Sequence, residues 1–272
     1  MRAPYLGIAC AVAALAAPDP VRETFDHLYN FDFSQAHKTA DAHLKASPGD
    51  PLGYSAKAAV DLFHELDRLK ILQGEFFADD KKISGDDKLT ADPEIRMRFY
   101  GSIEAAQKLA DQNLASDATR TRALFSHALA EGMRMDYMAF IEKKQLRSLA
   151  AARRSQGYAV ELLKRDPSFV DAYLTTGLTE YLVGSLPFFI RWFVKFDDTQ
   201  GDKQRGVANL EKVAASGRYL GPFARILLSI INLREKNLPR TASLLEGLTQ
   251  EYPKNSLLKG ELEKVRVKLQ RR

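Results

Sequence analysis

The stretch DPSFVDAYLTTGLTEYLVG at positions 166–184 decides the fold, because it joins the end of one helix to the start of the next. Pro167 ends the first helix, since proline has no backbone N–H to continue the hydrogen-bond ladder. The next helix carries an aromatic residue at Tyr173, a small residue at Gly177 and a second aromatic residue at Tyr181, each four positions apart. Helices approach closely only where a side chain is nearly absent, and aromatic rings fill the space on either side. The stretch therefore predicts two tightly packed helices.

Prolines mark similar helix ends elsewhere in the chain. Pro48 and Pro253, like Pro167, each end an amphipathic helix and are followed by a polar turn. Ala36 lies twelve positions before Pro48, and Ala58 occupies the small position of the helix that follows it. A helix–turn–helix unit of about 34 residues with such small positions is typical of the tetratricopeptide repeat (TPR). The chain is thus expected to be all-α, a TPR-like α-solenoid of antiparallel helical hairpins over residues 21–272.

The spacing of the repeats predicts one insertion. The chain runs 86 residues from Pro167 to Pro253, whereas two repeats need roughly 68, which leaves about 18 residues in excess. The first helix of this pair is expected to end near Gly184 and the second to begin near Asp202. Between them lies the apolar, aromatic-rich segment 185–196, which is predicted to form a helical insertion. Helices are also expected over 92–115, 117–140, 142–165, 222–236, 239–251 and 256–269.

The part of the chain from Tyr173 to about residue 255 carries further motifs. They are Leu186-Pro187-Phe188-Phe189 after Tyr181 and Gly184, Gly201-Asp202-Lys203, Gly206-Val207 and Gly217-Arg218-Tyr219. This part, about a third of the chain, resembles bacterial TPR-like proteins related to the eukaryotic inclusion-body-clearance family. The resemblance implies a non-enzymatic α-solenoid that works through partners, and it implies no ligand or catalytic residue.

The N-terminus has the pattern of an export signal. Arg2 precedes an apolar run over residues 3–17 that is too short to span a bilayer comfortably. Residues 1–17 are therefore expected to be a signal peptide, and the mature protein to be periplasmic or secreted. A cytoplasmic protein with an apolar N-terminus and a protein lipid-anchored at Cys10 are the alternatives. Cys10 is the only cysteine, so a mature chain would lack disulfides, thiol catalysis and cysteine-ligated metal.

Composition and motifs favour a binding protein over an enzyme. The formal net charge of the 272 residues is +5, with basic and acidic residues interspersed, so no nucleic-acid partner is expected. His37 and His43 are six positions apart, and His64-Glu65 lacks the second histidine of a zinc helix. The aspartates at 79–87 are expected to be solvated charge in a loop, since they lack the pattern of a calcium loop. No catalytic residue, cofactor or metal site is predicted.

Two segments are candidates for partner binding. Within 142–165, cations could clamp a peptide carboxylate, or the segment could be an ordinary basic outer face. Within 185–196, the aromatic side chains could pack inside the solenoid or lie exposed to a partner or a membrane interface. The predicted function is a scaffold for protein–protein interaction or assembly, and the alternative is a membrane-peripheral protein that docks through 185–196. The oligomeric state is open. The candidate residues are Lys143, Lys144, Arg147, Arg154, Arg191, Trp192 and Lys195.

Overall fold

The computed structural model describes residues 19–74, 89–185 and 201–271, and within these ranges the chain forms eleven α-helices and no strand. The prediction of an all-α fold is thereby confirmed. The helices are α1 (Pro20–Tyr29), α2 (Phe33–Ala46), α3 (Pro51–Arg68), α4 (Pro93–Asn113), α5 (Asp117–Asp136), α6 (Gln145–Arg165), α7 (Tyr173–Ser185), α8 (Lys203–Ser216), α9 (Gly221–Arg234), α10 (Leu238–Glu251) and α11 (Ser256–Gln270). A π turn (Tyr137–Ile141) and a 3-10 turn (Val170–Ala172) precede α6 and α7.

Side-chain caps set most helix starts. In seven helices a carboxylate or amide oxygen accepts a hydrogen bond from a backbone N–H of the first turn. These N–H groups have no acceptor within the helix, so the cap satisfies them. Proline also stands in the first turn of several helices, where its missing N–H has no cost. Pro48, Pro167 and Pro253 lie in the turns that follow α2, α6 and α10. The capping residues are Asp19, Asp32, Asp50, Asp92, Asp202, Asn237 and Asn255.

One predicted helix start was wrong by a few residues. The sequence suggested a helix over 142–165, whereas α6 begins at Gln145. The chain passes first through the π turn, and Lys143 has a φ of 55°. A residue with positive φ cannot continue a right-handed helix, so α6 starts only after it.

Each helix packs against the next one along the chain, and α1 and α5 also pack on α3. Helices α7 and α8 approach each other closely at two glycines. A Cβ added to Gly206 would lie 2.7 Å from the backbone oxygen of Gly177 and 2.5 Å from the backbone nitrogen of Tyr181. Gly177, the small residue expected to allow close packing, thus faces a second glycine.

The hairpins α5/α6 and α7/α8 place equivalent residues at their contacts. The Ser155 hydroxyl donates to the backbone oxygen of Ala128 at 2.7 Å, just as Gly206 lies against the oxygen of Gly177. In each hairpin an arginine comes one position before the small residue of the second helix, which is Ser155 or Gly206. A glutamate comes three positions after the small residue of the first helix, which is Ala128 or Gly177. The arginine and the glutamate form an ion pair. These ion pairs are Arg154–Glu131 and Arg205–Glu180. The two hairpins therefore share one register.

The beginning of the chain also contacts its last third. The hydroxyl of Tyr29 in α1 donates to the backbone oxygen of Tyr219 at 2.8 Å, and the side-chain amide of Asn255 donates to the backbone oxygen of Tyr29 at 2.8 Å. Phe63 of α3 meets Phe223 of α9 edge to face. In a simple stack each repeat contacts only its neighbours, so these contacts add long-range connections to the neighbour packing.

Candidate functional site

Helix α6 exposes one continuous side. Its exposed residues recur every third or fourth position, which is the spacing of a single helix face. The opposite side, with Ala151, Ser155, Ala159 and Leu162, is buried. We call the exposed side the basic face; it comprises Leu146, Arg147, Ala150, Arg153, Arg154, Gly157, Glu161, Lys164 and Arg165.

The segment that carries the basic face holds a disproportionate charge. Residues 142–165 contain seven basic and two acidic side chains, a formal net charge of +5, and the whole chain has the same formal net charge of +5. All other residues together are therefore neutral. Because most of these cations lie on one exposed side, they produce a positive field over one helix rather than over the whole surface.

Some of the predicted binding cations already have intramolecular partners. Arg154 makes two hydrogen bonds with Glu131, at 2.8 and 2.9 Å, and Glu131 is only 4% exposed. Lys144 pairs with Glu142 at 2.9 Å. A ligand carboxylate at Arg154 would have to compete with a buried glutamate, which removal of its partner would leave uncompensated. Arg147 is exposed and makes no ion pair with any residue that the structure describes.

A polar network supports the basic face from below. The side-chain amide of Gln107 in α4 donates to Glu131 of α5 at 2.7 Å, and Arg134 donates to Gln107 at 2.8 Å. With Arg154, these groups join α4, α5 and α6. The sequence analysis missed this network. The sequence does contain a pattern that indicates this network: a small residue is followed three positions later by an acid, as in Ala128 and Glu131, and the same spacing recurs in α7.

The other predicted positions are partly described. Tyr181 is buried and Tyr173 is half-buried, with the Nζ of Lys212 3.7 Å from the centre of the Tyr173 ring. Arg191, Trp192 and Lys195, the insertion beyond Ser185, the aspartates at 79–87 and the proposed signal peptide with Cys10 all lie outside the described residues.

The histidines take part in capping and packing. His43 Nε2 lies 2.6 Å from the Asp50 carboxylate, which Arg122 also binds through two hydrogen bonds and which caps α3. Burial acts to raise the pKa of Asp50, but the hydrogen bonds from Arg122 and His43 outweigh it and lower the pKa. Among the described residues, no group of three or more His, Cys, Asp or Glu side chains is placed to hold a metal ion.

Asp136, the last residue of α5, is a half-buried acid. Its carboxyl makes no hydrogen bond or ion pair with another described residue, and it stands directly before the π turn. Burial raises the pKa of the Asp136 carboxyl to about 7. Burial disfavours the charged form of a carboxyl, so Asp136 stays protonated in the folded protein over a pH range in which it ionises in the unfolded chain.

We expect Asp136→Asn to remove a pH dependence of stability. The folded-state pKa lies above the ordinary value of 3.8, so the stability linked to the bound proton is full below that value. It is lost as the pH rises through about 7. The variant should therefore match the parent in acid and become the more stable of the two in mildly alkaline buffer. Urea unfolding across this pH range measures the difference; two parallel stability curves would contradict it.

No protein-family model, curated protein or solved structure compared with the chain matches it. In the part of the chain that the structure describes, no helix has the length and apolar character needed to cross a membrane.

Proposed function

We propose that the chain is a TPR-like α-solenoid and that it works as a non-enzymatic scaffold. The register shared by α5/α6 and α7/α8 supports a repeat architecture, because the same small residues and acid–arginine pairs recur at equivalent positions. The hairpin α3/α4 carries a related pair, in which Arg98 donates to the buried Asp61 at 3.0 Å. Residues 1–17 serve as a signal peptide in this proposal, which places the mature scaffold in the periplasm or outside the cell.

The partner that the basic face fits best is an acidic segment of another protein. The observation that carries this proposal is the net charge of +5 within residues 142–165, equal to that of the whole chain. From Arg147 to Lys164 the face is about 26 Å long, at 1.5 Å per helical residue. An extended acidic segment of about eight residues would cover it. Complementary charge would steer such a segment to this helix and set its orientation.

We expect the double variant Arg147→Glu, Lys164→Glu to lose affinity for an acidic peptide. Each reversed charge at an exposed position changes the binding free energy by about 0.5–1 kcal/mol, so the two together weaken binding roughly tenfold. Stability should stay within about 0.5 kcal/mol of the parent, because both side chains are exposed. The measurement is calorimetric titration of the full chain with a synthetic Glu/Ser peptide at low and high salt.

The matched control is Lys38→Glu, Lys45→Glu, which changes the net charge equally at exposed positions of α2. It should bind the peptide nearly as well as the parent does. If both double variants lose the same affinity, only the total charge matters and the basic face is not the site. If the parent does not bind the peptide in dilute salt, the proposed partner class is wrong.

A further inference from the structure

Two large apolar side chains protrude where α4 and α6 begin. Leu146, the second residue of α6, is 87% exposed, and Met97 in the second turn of α4 is 69% exposed. Leu182 of α7, 52% exposed, is the only other large apolar side chain with high exposure among the described residues. Removal of such side chains from water is favourable, so both can contribute to binding.

Glu142 holds the starts of the two helices together. Its carboxylate accepts a hydrogen bond from Arg96 of α4 at 3.0 Å and pairs with Lys144, just before α6, at 2.9 Å. Met97 follows Arg96 directly, and Leu146 lies two positions after Lys144. Glu142 therefore links the two segments that carry the protruding side chains. We call these two segments the docking edge; they comprise residues 94–97 and 142–147.

The docking edge is basic around its apolar side chains. It has four cationic side chains and two carboxylates, Glu94 and Glu142, of which Glu142 is already bound by two of the cations. Lys143 has a φ of 55° in the turn that leads into α6. The edge thus combines protruding apolar groups with a net charge of +2. The cations are Arg96, Lys143, Lys144 and Arg147.

We infer that the docking edge binds the surface of an anionic membrane, with Leu146 and Met97 inserted at the level of the headgroups. Cations beside the inserted groups would then meet lipid phosphates and carboxylates, which favours binding by about 1 kcal/mol for each lysine or arginine near the surface. Both apolar side chains are largely exposed, so they protrude rather than line a groove. A bilayer interface accepts such groups without a complementary shape, whereas a protein partner needs a matching pocket.

This inference goes beyond the proposed function, because it assigns a second partner to apolar residues that an acidic peptide does not require. The test is co-sedimentation of the full chain with phosphatidylcholine vesicles that contain or lack phosphatidylserine. The parent should bind only the anionic vesicles and should dissociate in high salt. The double variant Leu146→Ser, Met97→Ser should bind at least tenfold more weakly, since two apolar side chains no longer leave water.

A second variant tests the charges, and a third is the control. Lys143→Asn, Lys144→Gln should also weaken binding about tenfold or more; asparagine tolerates the positive φ at this position. Leu182→Ser removes an exposed leucine away from the docking edge and should bind like the parent. Thermal melts should be within a few degrees of the parent for all three variants. The changed apolar side chains are exposed, and Arg96 still binds Glu142 when Lys144 is replaced.

Several results would overturn the inference. One is a parent that does not bind anionic vesicles, and another is unchanged binding by the Leu146→Ser, Met97→Ser variant. Loss of binding by Trp192→Ala but not by that variant would move the membrane contact to the insertion 185–196. Loss of acidic-peptide binding by Leu146→Ser, Met97→Ser, with no vesicle binding by the parent, would assign the edge to a protein partner. The proposed function would fail on a different result, namely that peptide binding does not depend on Arg147 and Lys164.

Discussion

Replacing Asp171 with alanine should lower the free energy of unfolding by roughly 3–5 kcal/mol, because three backbone donors lose their acceptor at once. Asp171 lies in the 3-10 turn before α7 and is 3% exposed. Its carboxylate accepts the backbone N–H groups of Arg218, Tyr219 and Leu220, at 2.9, 3.0 and 2.8 Å. Leu220 is the N-cap residue of α9, and its side chain makes no capping hydrogen bond. Asp171 therefore fixes, from a distant turn, the backbone that leads into α9.

The position of Tyr219 explains why the loss should be cooperative. Its ring contacts Phe25 of α1 and Phe125 of α5, with ring centres 6.1 and 5.9 Å apart. Its backbone oxygen accepts the hydroxyl of Tyr29. Four parts of the chain thus meet where Asp171 holds the backbone. Without the carboxylate, the segment would shift or keep unsatisfied buried donors, and both outcomes weaken these contacts.

Two further variants serve as comparisons for Asp171→Ala. Asp171→Asn keeps one acceptor oxygen but loses its charge, so it should cost less than the alanine variant. Asp202→Ala removes an exposed cap that accepts only the N–H of Arg205, and about 1 kcal/mol is expected. Urea unfolding with a common m-value measures all three. A loss for Asp171→Ala no larger than that for Asp202→Ala would show that other groups satisfy the donors of 218–220.

Much of the helical order could be predicted from sequence because its causes are local. The start of α8 follows from Asp202, whose side chain accepts the backbone N–H of Arg205, three residues later, and so caps the helix. The turn after α6 follows from Pro167, which cannot continue a helix. The start of α11 at Ser256 depends in the same way on Asn255, whose side chain accepts the N–H of Leu258. Such local rules act whatever the rest of the chain does.

The missed features depend on residues that are distant in sequence. Nothing near Asp171 indicates that its partners lie 47 to 49 positions later, because a short polar side chain before a helix usually bonds locally. The π turn after Asp136 was missed since its sequence, YMAFI, is compatible with an ordinary helix. The basic segment 142–165 was recognised, but the pairing of Arg154 depends on Glu131 of α5, whose burial is set by the packing of the helices.

The paired glycines at the crossing of α7 and α8 give the second large effect. Gly206→Ala should destabilise the protein by about 1–3 kcal/mol, and Gly177→Leu by more, because each new side chain forces the helices apart. A Cβ at Gly177 would lie 2.9 Å from both the Cβ of Asn209 and the backbone oxygen of Gly206. At Gly206 the nearest atoms belong to the backbone of α7, which cannot move aside like a flexible side chain.

Gly157→Ala is the matched control, because it makes the same chemical change at an open position of α6. A Cβ there would meet no atom within 4 Å, so alanine should stabilise the protein by roughly 0.5–1 kcal/mol through the lower entropy of the unfolded chain. The changes in the free energy of unfolding caused by Gly206→Ala and Gly157→Ala should thus have opposite signs.

The double variant Gly177→Ala, Gly206→Ala should lose less stability than the sum of the losses of the two single variants. The first methyl group separates α7 and α8 and so makes room for the second. Chemical denaturation of the parent, the single variants Gly206→Ala, Gly177→Ala, Gly177→Leu and Gly157→Ala, and the double variant measures these differences. Equal stabilities for Gly206→Ala and Gly157→Ala would mean that α7 and α8 do not approach at this crossing, and the shared hairpin register would then lose its main geometric support.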